Sequence, residues 1–162
     1  MMNIKNFNVR QMQAYAALCL FSFCDKLGIK HAGIDELILH MFNILVASDL
    51  AQWEQAGASL LITGRGDLLP LSVEKAISKE KLKPFNSLVE LCVEVGLVDM
   101  YGDVTEQPYV FLKKCIKLIE SYDIPCLTPE HLDRYGRGAL WGEAINESEL
   151  KDIFEAYGVN LS

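Results

Sequence analysis

The run from Leu37 to Ala47, Leu-Ile-Leu-His-Met-Phe-Asn-Ile-Leu-Val-Ala, is apolar at every position except His40 and Asn43. A helix made of it is hydrophobic most of the way round, as a central helix wrapped by others must be. It reaches only about half of the ~20 apolar residues that a membrane span needs. The segment from Gly33 to Gly66 is therefore expected to organise a water-soluble core. Leu39, Phe42, Leu45 and Val46 should meet Leu88, Leu91, Ile116 and Ile153 in that core. A chain of 162 residues can bury it within one domain. Hydrophobic residues make up 51% of the chain against 23% charged, which argues against disorder.

The remaining segments read as partners for this core. Val9, Met12, Ala16, Cys19, Leu20, Phe23 and Leu27 recur at three- and four-residue steps before Gly28, predicting a helix over 9–27 with a glycine just past its end. Asp35 and Glu36 then fall in the first turn of the core helix, where its dipole favours acids. Ser48-Asp49 is either an interior step or the N-cap of a helix running from Leu50 to Leu61. Gly64 and Gly66 break the pattern. The stretch from Ser72 to Lys83 reads as a solvated helix bearing Lys75, Lys79, Lys81 and Lys83. Pro84 suits the first position of a helix that buries Phe85, Leu88, Leu91, Cys92 and Val95 and stops at Gly96. Gln107-Pro108 opens another helix through Ser121, and Thr128-Pro129 opens a short one. Asn146 and Glu149 form a capping-box pattern ahead of the last helix, which Gly158 ends. The expected fold is all-α, an irregular bundle of six to eight helices, with room for one minor β-hairpin at 59–73 or 97–104.

Motifs that would announce a chemistry are missing. The five cysteines, Cys19, Cys24, Cys92, Cys115 and Cys126, are odd in number and form no C-x-x-C pair; three lie among aliphatic residues as small hydrophobes. No signal-peptide pattern opens the chain, so a reducing cytoplasm is the expected location. His31, His40 and His131 stand singly, without the close spacing of a zinc site, and no metal or cofactor is expected. Arg65-Gly66-Asp67 matches an integrin-binding tripeptide as text but reads as a turn. Tyr135 to Gly142 is rich in glycine yet lacks the Gly-Lys-Ser/Thr ending of a P-loop; a tight connection pinned by Trp141 is expected there. The helix after Pro84, followed by Gly96-Leu97-Val98, has a winged-helix outline, but it carries Glu90 and Glu94 and no base to face phosphates, so nucleic-acid binding is not expected. Cys24 with Asp25 and one histidine is the least implausible nucleophilic set, in no local signature. No catalytic residues are assigned.

Charge supplies the remaining information. Residues 1–119 hold 13 acids and 12 bases, whereas residues 120–162 hold nine acids and three bases, a net of −6. Such a surface attracts a basic partner, raising association rates and selecting by complementarity. In size, acidity, helical content and lack of catalytic motifs the chain resembles the small acidic bacterial immunity proteins of contact-dependent or polymorphic toxin systems. That resemblance implies a cytoplasmic, non-catalytic inhibitor of a basic partner such as a nuclease toxin domain, with no nucleic-acid or membrane partner. Independently of it, the acidic surface assigns partner binding to Glu143, Glu147, Glu149, Asp152 and Glu155 as steering carboxylates, with Tyr135 and Trp141 as anchors. A helical adaptor or regulatory protein is the nearest rival outside the enzymes, and a hydrolase whose site is assembled from distant residues ranks below both.

Overall fold

The computed structural model describes residues 3–125 and 127–161; Cys126 lies outside them. Eight α-helices and one 3-10 turn follow in order: α1 Val9–Leu27, α2 Ala32–Phe42, the 3-10 turn Asn43–Leu45, α3 Leu50–Gly57, α4 Leu71–Lys75, α5 Lys79–Leu97, α6 Gln107–Glu120, α7 Glu130–Tyr135 and α8 Glu147–Tyr157. Among the described residues there is no strand. One contiguous apolar core runs through the fold from Ile4 to Ile153.

The central helix is α1, not the 37–47 run. Every residue from Val9 to Leu20 is buried, and α2, the 3-10 turn, α5, α6 and α7 all pack against it. Ala14, Ala16 and Ala17 are fully buried, and their small side chains let neighbouring helices come close. The apolar run is not one helix. Asn43 caps the end of α2 and begins the 3-10 turn, so the phase of the side chains changes midway. Leu39, on α2, points outward and is 39% exposed, while Val46, Leu91 and Ile116 are only partly buried at the margin of the core. Phe42, Leu45, Leu88 and Ile153 are buried as expected. Phe42 receives the ring of Phe154 edge-on, with centroids 4.9 Å apart.

Neither hairpin forms. In 59–73 the backbone is loop up to α4, with Gly64 and Gly66 at φ of 68° and 91°, and Pro70 precedes a helical turn. In 97–104, α5 continues to Leu97 and a turn follows, closed by Asp99. Its carboxylate accepts from the Thr105 N–H at 2.6 Å and from the Thr105 hydroxyl at 3.0 Å. Pro84 does not open a helix either: α5 begins five residues earlier, and the proline costs it only the bond that its missing N–H would have given to Glu80. Gly96 does not end it. This glycine is buried inside α5, where a Cβ would stand 2.0 Å from Gln13 Oε1 of α1; it lets the two helices touch. The helix expected over 50–61 stops at Gly57, and α7 starts at Glu130, with the Thr128 hydroxyl accepting from the Glu130 N–H at 3.4 Å.

Candidate functional site

The acidic C-terminal quarter is fastened to the N-terminus of α1. A helix start leaves N–H groups without intrahelical partners, and here the glycine-rich segment after α7 supplies them with carbonyls. Val9 N–H donates to Leu140 O at 2.9 Å and Arg10 N–H to Trp141 O at 3.5 Å. The Asn8 amide donates to Arg137 O and Gly138 O, each at 3.3 Å, while its oxygen caps Gln11 N–H at 2.9 Å. Gly142 is required by this contact, because a Cβ there would lie 2.2 Å from Asn8 Nδ2. The segment is thus the tight connection that its composition suggests, but these fastenings run through its backbone; the Trp141 side chain is half-buried.

Arg10 reinforces the joint from beneath. It is 6% exposed, and burial pushes its guanidinium down from the usual value. Its partners are carbonyls: Ile44 O, Ala47 O at 2.9 Å and Gly142 O at 3.4 Å. Two of these lie at or just beyond the end of the α2 and 3-10 segment, where the peptide dipoles favour a cation. Ile145 N–H donates to Leu45 O at 2.8 Å and Gln11 Nε2 to Leu132 O at 3.1 Å. Three elements distant in sequence are therefore clamped around the first turns of α1.

On this base the expected partner-binding residues divide into two kinds. Glu149 is committed internally: Arg137 grips it with two bonds of 3.2 and 2.6 Å, and it accepts the Asn146 N–H at 3.1 Å within the capping box. Arg137, and then Asn146, hold its carboxyl below the ordinary carboxylate range. Its carboxylate is held within the fold by these bonds. Glu143, Glu147, Asp152 and Glu155 are exposed, and Tyr135 and Trp141 are half-buried beside them. The Tyr135 hydroxyl donates to Asp152 Oδ2 at 3.2 Å, joining α7 to α8.

Other chemistry is answered by geometry. The Cys24 thiol is buried and pushed up to about 12, first by desolvation and then by Asp35, so it stays protonated and is a poor nucleophile. His31 accepts the Gly33 N–H at 2.9 Å as the N-cap of α2. His40 stacks on Trp53 with centroids 4.7 Å apart, and burial followed by Arg65 pushes its imidazole down to about 4. His131 meets Tyr157 edge-on. Among the described residues no three His, Cys, Asp or Glu side chains gather as a metal site would require, and no helix is long and apolar enough to cross a membrane. One mostly apolar cleft of about 200 Å³ is lined by Phe7, Met12, Pro108, Tyr109 and Leu140 among others. That is below the usual size of a small-molecule site.

One polar cluster gave no sign in the sequence. Arg65 turns inward to grip Glu54, with Nη1 2.6 Å from Oε2 and Nη2 2.7 Å from the Glu54 carbonyl, and the Tyr101 hydroxyl donates to the same carboxylate. The Arg65-Gly66-Asp67 tripeptide is a turn, as expected, with the Thr63 hydroxyl on Asp67 at 2.6 Å. No spacing rule connects Glu54, Arg65 and Tyr101; only the fold brings them together. Compared with protein-family models, with curated proteins and with solved structures, the chain matches none.

Proposed function

We propose that this chain is a non-catalytic binding protein that neutralises a basic partner, and that it presents the α7–α8 surface to that partner. The observation that carries this reading is the exposure, on one fastened unit, of Glu130, Asp133, Glu143, Glu147, Asp152 and Glu155. The cations among them are few: Arg134 and Lys151 are exposed, and Arg137 is spent on Glu149. Because the unit is held by backbone bonds to the buried end of α1, its carboxylates are positioned before any partner arrives, and less ordering entropy is lost on binding. A nuclease toxin domain has the complementary surface, since a cleft that takes phosphates must be positive. Carboxylates set where phosphates would lie can occlude such a cleft. In this reading the protein works in the cytoplasm as an immunity protein, its acids steering and Tyr135 and Trp141 adding apolar area.

The test is binding to the product of the neighbouring gene, which this reading expects to be a basic protein, measured at low and high salt. The variant Glu147→Lys/Asp152→Lys/Glu155→Lys should slow association by roughly tenfold or more at low salt while dissociation changes less. Glu149 is left intact because its ion pair belongs to the fold. Association that ignores both salt and the triple reversal would place the interface elsewhere, and absence of any complex would remove the immunity reading.

A further inference from the structure

The polar groups that α1 buries are matched by partners except at one atom. Gln13 is 1% exposed, and its Nε2 donates to the Cys92 carbonyl of α5 at 2.8 Å. That bond fixes the amide orientation, because the flipped amide would set oxygen against oxygen. Its Oε1 is buried with no hydrogen-bond partner, and Arg65 Nε is likewise a buried donor with no acceptor. The two residues line one small cavity of about 10 Å³, walled also by His40, Trp53, Gly57 and Thr63.

We propose that this cavity is the binding site of one ordered water, which accepts from Arg65 Nε–H and donates to Gln13 Oε1. Buried polar groups are almost always paired, with protein or with water, and the volume is close to the minimum that holds a single water. The two orphan atoms select the occupant. An anion drawn to the guanidinium would face the Gln13 oxygen, and a cation drawn to that oxygen would face the guanidinium. A neutral molecule that both accepts and donates serves both, and at this volume that molecule is water. Thr63 and His40 line the same wall and offer polar groups to its second hydrogen. The water completes a chain from Gln13 through Arg65 and Glu54 to Tyr101. It ties the central helix to the loop that carries the exposed Leu61 and Leu68, so the loop is braced from inside.

The test uses the whole chain. A crystal structure at about 1.5 Å should show one water within hydrogen-bonding distance of both Gln13 Oε1 and Arg65 Nε. In solution, Arg65 Nε–H should give a nuclear Overhauser effect at the water frequency. The variants Gln13→Met and Arg65→Met should be coupled, the double variant folding with an equilibrium constant about fivefold above that expected from independent effects. The bond from Gln13 Nε2 to Cys92 is lost in both the single and the double variant and cancels. A direct Gln13–Arg65 bond, an ion in the cavity, or additive effects with no water signal would overturn the proposal. Should either variant fail to fold, the Overhauser measurement on the unaltered chain decides.

Discussion

Helices α1 and α8 are written with the same local grammar and put to opposite uses. Each opens on an asparagine capping box, Asn8 with Gln11 and Asn146 with Glu149, and each closes on a left-handed glycine, Gly28 at φ 70° and Gly158 at φ 67°. Yet α1 is buried on every side over its first three turns, whereas α8 buries Leu150 and Ile153 and leaves Glu147, Asp152 and Glu155 in water. The N3 residue shows why the same motif suits both places. In the buried box it is a neutral glutamine, since an ionised carboxylate there would need a charge partner. In the exposed box it is a glutamate, and Arg137 provides that partner. Capping signals locate helix ends; they carry nothing about how much of the helix the fold will enclose.

Breaking the interior should have the largest effect. Phe42→Ala removes the ring that Phe154 of α8 meets edge-on and should cost roughly 3–5 kcal/mol by chemical denaturation. Phe154, half-buried at the margin of the core, should cost less than half of that on the same substitution. An equal cost for the two would erase the distinction between enclosed and peripheral helix.

The boxes themselves come next. Gln11→Ala deletes a buried cap and the bond to Leu132, and should cost about 2 kcal/mol; Glu149→Ala, at the half-buried box of α8, should cost less. Gln11→Glu sharpens the contrast, for it should destabilise the protein at pH 7 and recover as the new carboxyl protonates. Urea midpoints for the three variants at two pH values check all of these.

A third comparison uses acid. His40 has a folded value near 4 against about 6.5 unfolded, so the folded state holds fewer protons between those limits. Its contribution is present above about pH 6.5 and is lost as pH falls toward 4, by an amount on the order of 1–2 kcal/mol after allowing for its partial exposure. The carboxyl of Glu149 lies below its usual range, so the Arg137 pair persists to lower pH and fails only there. His40→Phe preserves an aromatic ring over Trp53 and should flatten stability between pH 6.5 and 4; a slope that survives this change would assign it to another group.

The smallest effects belong to the exposed acids. Glu147→Lys, Asp152→Lys and Glu155→Lys should each shift stability by no more than about 0.5 kcal/mol, with an unchanged far-ultraviolet circular dichroism spectrum. A loss of several kcal/mol would mean that these carboxylates serve the fold as Glu149 does.

Much of the bundle was legible because helix ends are decided by neighbours in sequence. Gly28, Pro108, Asn146 and Gly158 all act where their spacing places them, and Asp49 takes the N-cap role of the two open to it. The misplaced centre has one origin. Hydrophobicity made the 37–47 run look central, and the periodic pattern of α1 made that helix look like one of its partners. In the fold Leu39 faces outward, while Arg10, Gln11 and Gln13 are enclosed because carbonyls of Ile44, Leu132 and Cys92 come to meet them. The candidate site was legible as charge, not as structure: Glu143, Glu147, Asp152 and Glu155 are exposed, but nothing in the spacing of Arg137 and Glu149 announced that they would neutralise each other.

By itself, then, the sequence determined the all-helical class, the ends of α1 and α8 and the concentration of acid after residue 119, since these depend on side chains a few positions apart or on composition. Tertiary structure alone decided which helix lies at the centre, which polar groups go inside and which carboxylates stay exposed. Those outcomes rest on hydrogen bonds between residues 34 to 132 positions apart around α1. Whether a polar side chain can be buried depends on whether a distant backbone arrives to satisfy it.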